Sequence, residues 1–267
     1  MPSLFALRVS PRPLVGRLLG AGGVAVVFLL WWLATWGNPE QRMISPVILP
    51  SPYEVAISLP ALFRDRALFQ SIAATLRRVL VGFGLAVAIG VPLGILAGAW
   101  RVLAAAAAPI ALFGRNVPVA ALIPLTILWF GIDETQKVVF IFIACVPFVF
   151  AGARAAVAGV PDRYVDTAET LGASRAQIVR KVLVPLALPD IYDDLRHLFG
   201  MAFGYIMLAE IINAGYGLGF LLMESQRRGP REHIILILII IGSLAYGIDR
   251  LLVWFQRGLF PYREVEE

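Results

Sequence analysis

Runs of about twenty mainly apolar residues recur along this chain, and nothing else constrains its fold as tightly. Coiled as a helix at roughly 1.5 Å per residue, such a run crosses a hydrocarbon layer roughly 30 Å thick. Inside that layer every backbone polar group must be bonded within its own segment, which favours helices. Six stretches qualify: Leu18–Trp36, Val79–Trp100 with a start near Ser71, Leu103–Ile132 interrupted by Arg115, Val138–Val160 carrying Arg154, a fifth within about Leu186–Ile212, and Ile234–Phe255. The expected fold class is all-α, a polytopic membrane protein with about six transmembrane helices.

Composition agrees. The chain is 59% apolar and 15% charged, whereas soluble domains average about 25% charged. Its mean hydropathy is +0.80 and its net charge +5. Lysine stands only at 137 and 181, so the basic surplus is arginine. In such a chain that surplus marks cytoplasmic loops rather than a nucleic-acid partner. Even-numbered spans put both termini on one side. The cytoplasmic set then holds Arg8, Arg12, Arg17, Arg101, Arg163, Arg175, Arg180, Lys181, Arg257 and Arg263. The opposite set holds Arg42, Arg64, Arg66, Lys137, Arg227, Arg228 and Arg231. The first apolar run lacks a small-residue cleavage site and reads as an uncleaved span. Residues 37–70 form a proline-rich outward connection with a short interfacial helix near Tyr53–Phe69.

Within the second span Gly82, Ala86, Gly90, Gly94 and Gly98 recur every four residues. Small residues so spaced let another helix approach closely, for ordinary packing or for a moving interface. The lone Cys145 cannot form an internal disulfide. His197 and His233 are too isolated for a metal site, and no catalytic set is evident. A phosphate-binding loop needs lysine in a glycine frame, and neither Lys137 nor Lys181 has one.

The most polar stretch, Asp166–Ile191, reads as helix, tight turn, helix. Pro161 and Asp162 open the first helix, with Tyr164, Val165, Ala168 and Leu171 on one narrow apolar face. Gly172 stands where a left-handed C-terminal residue is wanted. Ser174 and Gln177 have the spacing of a capping box. Ile178, Val179, Val182 and Leu183 stripe the second helix, and Pro185 and Pro189 bend the chain back toward the bilayer. Asp190, Asp193 and Asp194 then sit at the start of the fifth span, where acidic groups suit a helix N-terminus.

This stretch resembles the "EAA" loop of permease subunits of bacterial ABC importers: Asp166-Thr167-Ala168, three residues, Gly172, nine residues, Val182-Leu183-Val184-Pro185. The spacing matches, with Asp for Glu, Thr for Ala, and Val for Ile and Leu. "LPSPYEV" (49–55), "TLRRVLVGF" (75–83), "PVAALIPLTILWFGI" (118–132) and "LAEIINAGYGLGFLL" (208–222) resemble the nitrate/sulfonate/taurine/bicarbonate branch. The likeness covers about residues 45–257. One departure is Asp194, where relatives carry glycine before Leu-Arg.

The resemblance implies a type I ABC importer permease fold for a small anionic solute. Residues 1–17 and 258–267 would be cytoplasmic tails, and 18–70 the first span with its periplasmic loop. Residues 71–257 would form the permease core, with the cytoplasmic coupling loop at 161–185. Asp166, Thr167, Ala168, Glu169, Thr170, Gly172 and Ala173 would engage a separate ATPase subunit, which binds ATP and Mg; this chain itself would carry no cofactor and no metal. A periplasmic or lipid-anchored solute-binding protein and a second permease copy complete the expected assembly in the bacterial inner membrane.

A carboxylate at a helix centre costs about 2.5–3.5 kcal/mol on insertion scales, so Glu210 faces a cavity or a partner. A guanidinium at Arg115 facing a cavity suits a small anion. With Asn116 and Asn213 these are the candidate pathway residues, whereas Arg154 reads as a headgroup anchor. The Gly-Tyr-Gly of "AGYGLGF" invites a channel reading but lacks the preceding Thr-Val and the four-fold pore. An ATP-independent transporter or channel is the alternative.

Overall fold

The computed structural model describes residues 13–261, apart from 41, 66, 213, 229 and 230. Arg8, Arg12, Arg66, Asn213, Arg263 and most of both tails therefore lie outside the described residues. The chain divides into two compact units, residues up to 65 with 225–236, and residues 66–224 with 237 onward.

In the first unit, helix α1 (Pro13–Ala34) precedes an irregular segment and α2 (Pro52–Asp65). The Trp31 indole donates to the Pro50 carbonyl at 2.9 Å. Ser51 and Glu54 bond reciprocally at the α2 start: the Ser51 N–H donates to the Glu54 carboxylate at 2.7 Å and the Glu54 N–H donates to Ser51 Oγ at 3.3 Å. Arg42 also binds Glu54 and holds its carboxyl below the usual carboxylate range.

The second unit is built on α3 (Leu68–Ala99), α4 (Arg101–Asn116), α5 (Leu122–Phe130), α6 (Glu134–Ala158), α7 (Asp162–Thr170), α8 (Arg175–Ile178) and α9 (Val184–Ile211). Helices α10 (Leu218–Arg228) and α11 (Arg231–Leu259) each run through the boundary between the units. Among the described residues α1 (from Leu14), α3, α6 and α11 are long and apolar enough to cross a membrane. The expected third span is not one helix. Helices α4 and α5, joined through the 3₁₀ turn Val119–Ala121, diverge by 87° and make a fifth crossing only if taken together. Pro118 explains the break: it offers no N–H and pushes Val117 into the extended region, at φ −67° and ψ 125°. The expected fifth span is α9, whose Asp190, Asp193, Asp194, Arg196 and Glu210 set it apart from the apolar four.

Helices α3 and α6 run parallel in close contact. An ideal Cβ on Gly82 would stand 2.7 Å from the Val138 carbonyl, and one on Gly98 2.6 Å from Val157 Cβ. At Gly90 the same atom would meet Val149 at 2.8 Å. At Gly94 it would meet both Ala153 Cβ and the Phe150 carbonyl at 2.6 Å. Backbone cannot yield there, so Gly94→Val is expected to destabilise the protein by about 1–3 kcal/mol. Gly84, with nothing within 4 Å, is the control. A thermal melt in detergent in which both valine variants behave alike would contradict this packing.

Helix α9 runs antiparallel to α3 and α6. It is tied to α11 by Tyr192 Oη donating to the Leu252 carbonyl at 2.9 Å and Gln256 Nε2 donating to Asp193 at 2.9 Å. At Pro185 and Pro189, where a bend is expected, the helix is not interrupted. Instead α8 continues through a π-helical turn, Val179–Leu183, directly into α9. Pro185 lacks the donor that an α-helix would aim at Lys181, and the ladder shifts so that the Val184 N–H reaches the Val179 carbonyl. Asp190, Asp193 and Asp194 are consequently interior to a longer helix, not at its N-terminus, and Asp193 serves as a cross-helix acceptor.

Candidate functional site

Where the Leu68 end of α3, the Glu134 end of α6 and the Ile211 end of α9 meet, charge is gathered in the interior. Glu210 is 0% and Arg78 2% exposed. Arg78 Nη1 donates to Glu210 Oε1 at 2.7 Å and to the Tyr216 carbonyl at 2.7 Å. Its Nε reaches Glu134 at 2.8 Å, and its Nη2 also binds Glu134. Thr75 Oγ1 donates to Glu210 at 2.8 Å and accepts the Leu218 N–H at 3.0 Å, while the Gly219 N–H donates to Glu210 Oε2 at 2.9 Å. Two side chains thus satisfy the first free N–H groups of α10. Two of the three glycines of the Gly-Tyr-Gly-Leu-Gly stretch have a steric cause, and Gly215, with nothing within 4 Å, is not one of them. A Cβ at Gly217, where φ is +145°, would fall 2.5 Å from the Glu210 carboxyl, and one at Gly219 2.7 Å from the Met207 carbonyl. The Tyr216 carbonyl accepts from Arg78.

Arg78 was readable only as part of the quoted "TLRRVLVGF". The overlooked signal is an arginine pair within a long apolar helix, where an ionisable group implies a partner. Glu210 bonds neither Arg115 nor Arg154.

At the opposite end of the bundle, α7 closes in a Schellman turn. The Ala173 N–H bonds the Ala168 carbonyl at 3.0 Å and the Gly172 N–H bonds Glu169 at 2.9 Å, with Gly172 at φ +79°. No atom lies within 4 Å of a Cβ placed on Gly172, so conformation rather than crowding within the chain demands glycine. Ser174 and Gln177 form a full capping box. Val165, Ala168 and Ala173 lean on a core of Ala153, Val157, Val160, Ile178 and Leu183. Tyr164 and Leu171 do not share that face; they are 41% and 82% exposed. Asp166, Thr167, Glu169 and Thr170 are exposed, and both threonines bond back to carbonyls one turn earlier. A cleft of about 440 Å³ beside the turn is lined by Arg101, Arg154, Glu169 and Arg175.

Residues 90–261, spanning this turn and the α9–α10 junction, match the family described as binding-protein-dependent transport system inner membrane component. The chain belongs to that family. The permease is 34% identical over 249 residues to the taurine transport system permease protein TauC of Escherichia coli K12, covering 91% of this chain and 89% of the relative. It is 32% identical over 254 residues to the bicarbonate transport system permease protein CmpB of Synechococcus elongatus, covering 93% and 91%. Its fold resembles that of the MetNI methionine ABC transporter in an inward-facing conformation, with TM-score 0.63, 24% identity, and 72% and 95% of the two chains covered. It is an ABC transporter permease subunit, a multi-pass inner-membrane protein.

Among its other expected site residues, Arg115 ends α4 with its guanidinium 5.7 Å from the Phe148 ring centre. Asn116, beside it, donates to the Leu112 carbonyl at 2.7 Å. Both are exposed on this chain and lie apart from Glu210.

Proposed function

We propose that this permease moves a small solute bearing an acid group into the cytoplasm, driven by ATP hydrolysis on separate subunits. The observation that carries the reading is the doubly capped α7–α8 turn, which presents Leu171, Tyr164 and acidic side chains outward. A turn held by its own hydrogen bonds keeps its shape when pushed, which suits it to relay motion. Asp166, Thr167, Ala168, Glu169, Thr170, Gly172 and Ala173 form the segment that docks on an ATPase. The uninterrupted run from α8 through α9 carries movement there toward the Arg78–Glu210 node. In this arrangement the turn and both termini are cytoplasmic, and the node is on the outward side.

The relatives named for taurine, bicarbonate and aliphatic sulfonates share an acid group in their solutes. Arg115 and Asn116, exposed polar groups that follow the apolar run 102–114 of α4, line the path between two permease copies, with a solute-binding protein delivering from outside. Glu210 shapes the outer end as a positioning residue and makes no solute contact. The test is ATPase activity of the permease–ATPase assembly in proteoliposomes. Loaded binding protein should raise it several-fold; activity indifferent to that protein would remove the importer reading.

A further inference from the structure

Between the node and the α7–α8 turn, α4, α6 and α9 border an open cavity of about 330 Å³ lined by Arg115, Phe148, Gly152, Asp194, His197 and Met201. Arg115, Asp194 and His197 are all exposed on this chain. Ionisable groups within spanning helices are expensive to present to lipid, so they face water or a partner.

Their chemistry is divided by position. Arg115, beside Phe148, offers only donors. The Asp194 carboxylate lies against α6 one turn further on, where a Cβ added to Gly152 would stand 2.8 Å from Oδ2. The His197 Nδ1 is 2.7 Å from the Asp193 carbonyl. A carbonyl can only accept, so Nδ1 carries the hydrogen and the neutral ring keeps Nε2 as an acceptor. Phe148 and Gly152 are four residues apart, which separates the donor and acceptor regions by about 6 Å along α6.

We infer that this cavity is a mixed-charge transit site for a small zwitterion, with its acid group at Arg115 and its ammonium at Asp194 and His197. A bare anion such as bicarbonate would gain the arginine but meet the aspartate as a like charge. An aminosulfonate satisfies both ends. That the occupant is cargo rests on the importer reading; the charge division does not.

The test uses the permease–ATPase assembly with Cys145→Ala and Met201→Cys, and thiol-modification rates with two methanethiosulfonates, one carrying a sulfonate and one an ammonium. Both reagents should react. Arg115→Gln should slow the sulfonate reagent several-fold and spare the other; Asp194→Asn should do the reverse. Millimolar taurine should protect the thiol more than isethionate, the same sulfonate with a hydroxyl in place of the amine. Absence of reaction, an ammonium-reagent rate indifferent to Asp194→Asn, or equal protection by both solutes overturns the assignment. Size-exclusion profiles confirm that each variant assembles. Stimulated ATPase in the same samples reports separately on the importer reading.

Discussion

Arg78→Met is expected to lower the unfolding free energy by about 3–5 kcal/mol, the cost of leaving a buried charge without its partner. The stranded group is Glu210, fully enclosed by α3, α9 and the α10 start. The Tyr216 carbonyl loses its donor as well. Glu134→Gln should cost far less, about 1 kcal/mol or under. The Glu134 side chain is 48% exposed and also binds Arg77 at 3.0 Å, so water compensates it. Pairing Arg78→Met with Glu210→Met should recover much of the loss, because an apolar pair leaves no charge to bury. Melting temperatures in detergent across this cycle decide the matter. An Arg78→Met protein that melts with wild type would show that the node contributes nothing to its end of the bundle.

Gly172→Arg is expected to reduce uptake to background while the protein still assembles and melts near the wild-type temperature. Left-handed backbone costs an ordinary residue roughly 1–2 kcal/mol, a strain the exposed turn can bear. Space within the chain is no obstacle, because nothing lies within 4 Å. Under the proposed coupling role, the loss arises because the added side chain holds the turn away from the ATPase subunit. Gly172→Asn separates the two causes, since asparagine enters the left-handed region readily and is far smaller; it should retain much of the uptake. Uptake and ATPase are measured together in proteoliposomes. Wild-type uptake by the arginine variant would remove Asp166–Ala173 from the coupling role.

Local chemistry made much of the α7–α8 turn readable. The cap at Ser174–Gln177 and the left-handed Gly172 each depend on residues within one turn of the chain. Tyr164 and Leu171 fall outside the buried face because helical spacing does not say how wide that face will be. The core beneath α7 reaches only Val165 and Ala168. At Pro185 a π turn absorbs the missing donor and lets α8 run into α9. Pro118 broke the expected third span because Val117 has no such compensation.

By itself the sequence determined the helical class, the approximate positions of the apolar segments and the form of the α7–α8 turn. Each follows from periodicity, capping and backbone sterics that act over a few residues. Only the tertiary structure decided that Arg78 answers Glu210 across 132 positions, that Gly217 makes room for that carboxylate and Gly219 for the α9 backbone, and that Arg115 and Asp194 open on one cavity. Ion pairing inside a bundle depends on which helix faces meet and at what height, and that is set by packing along whole helices.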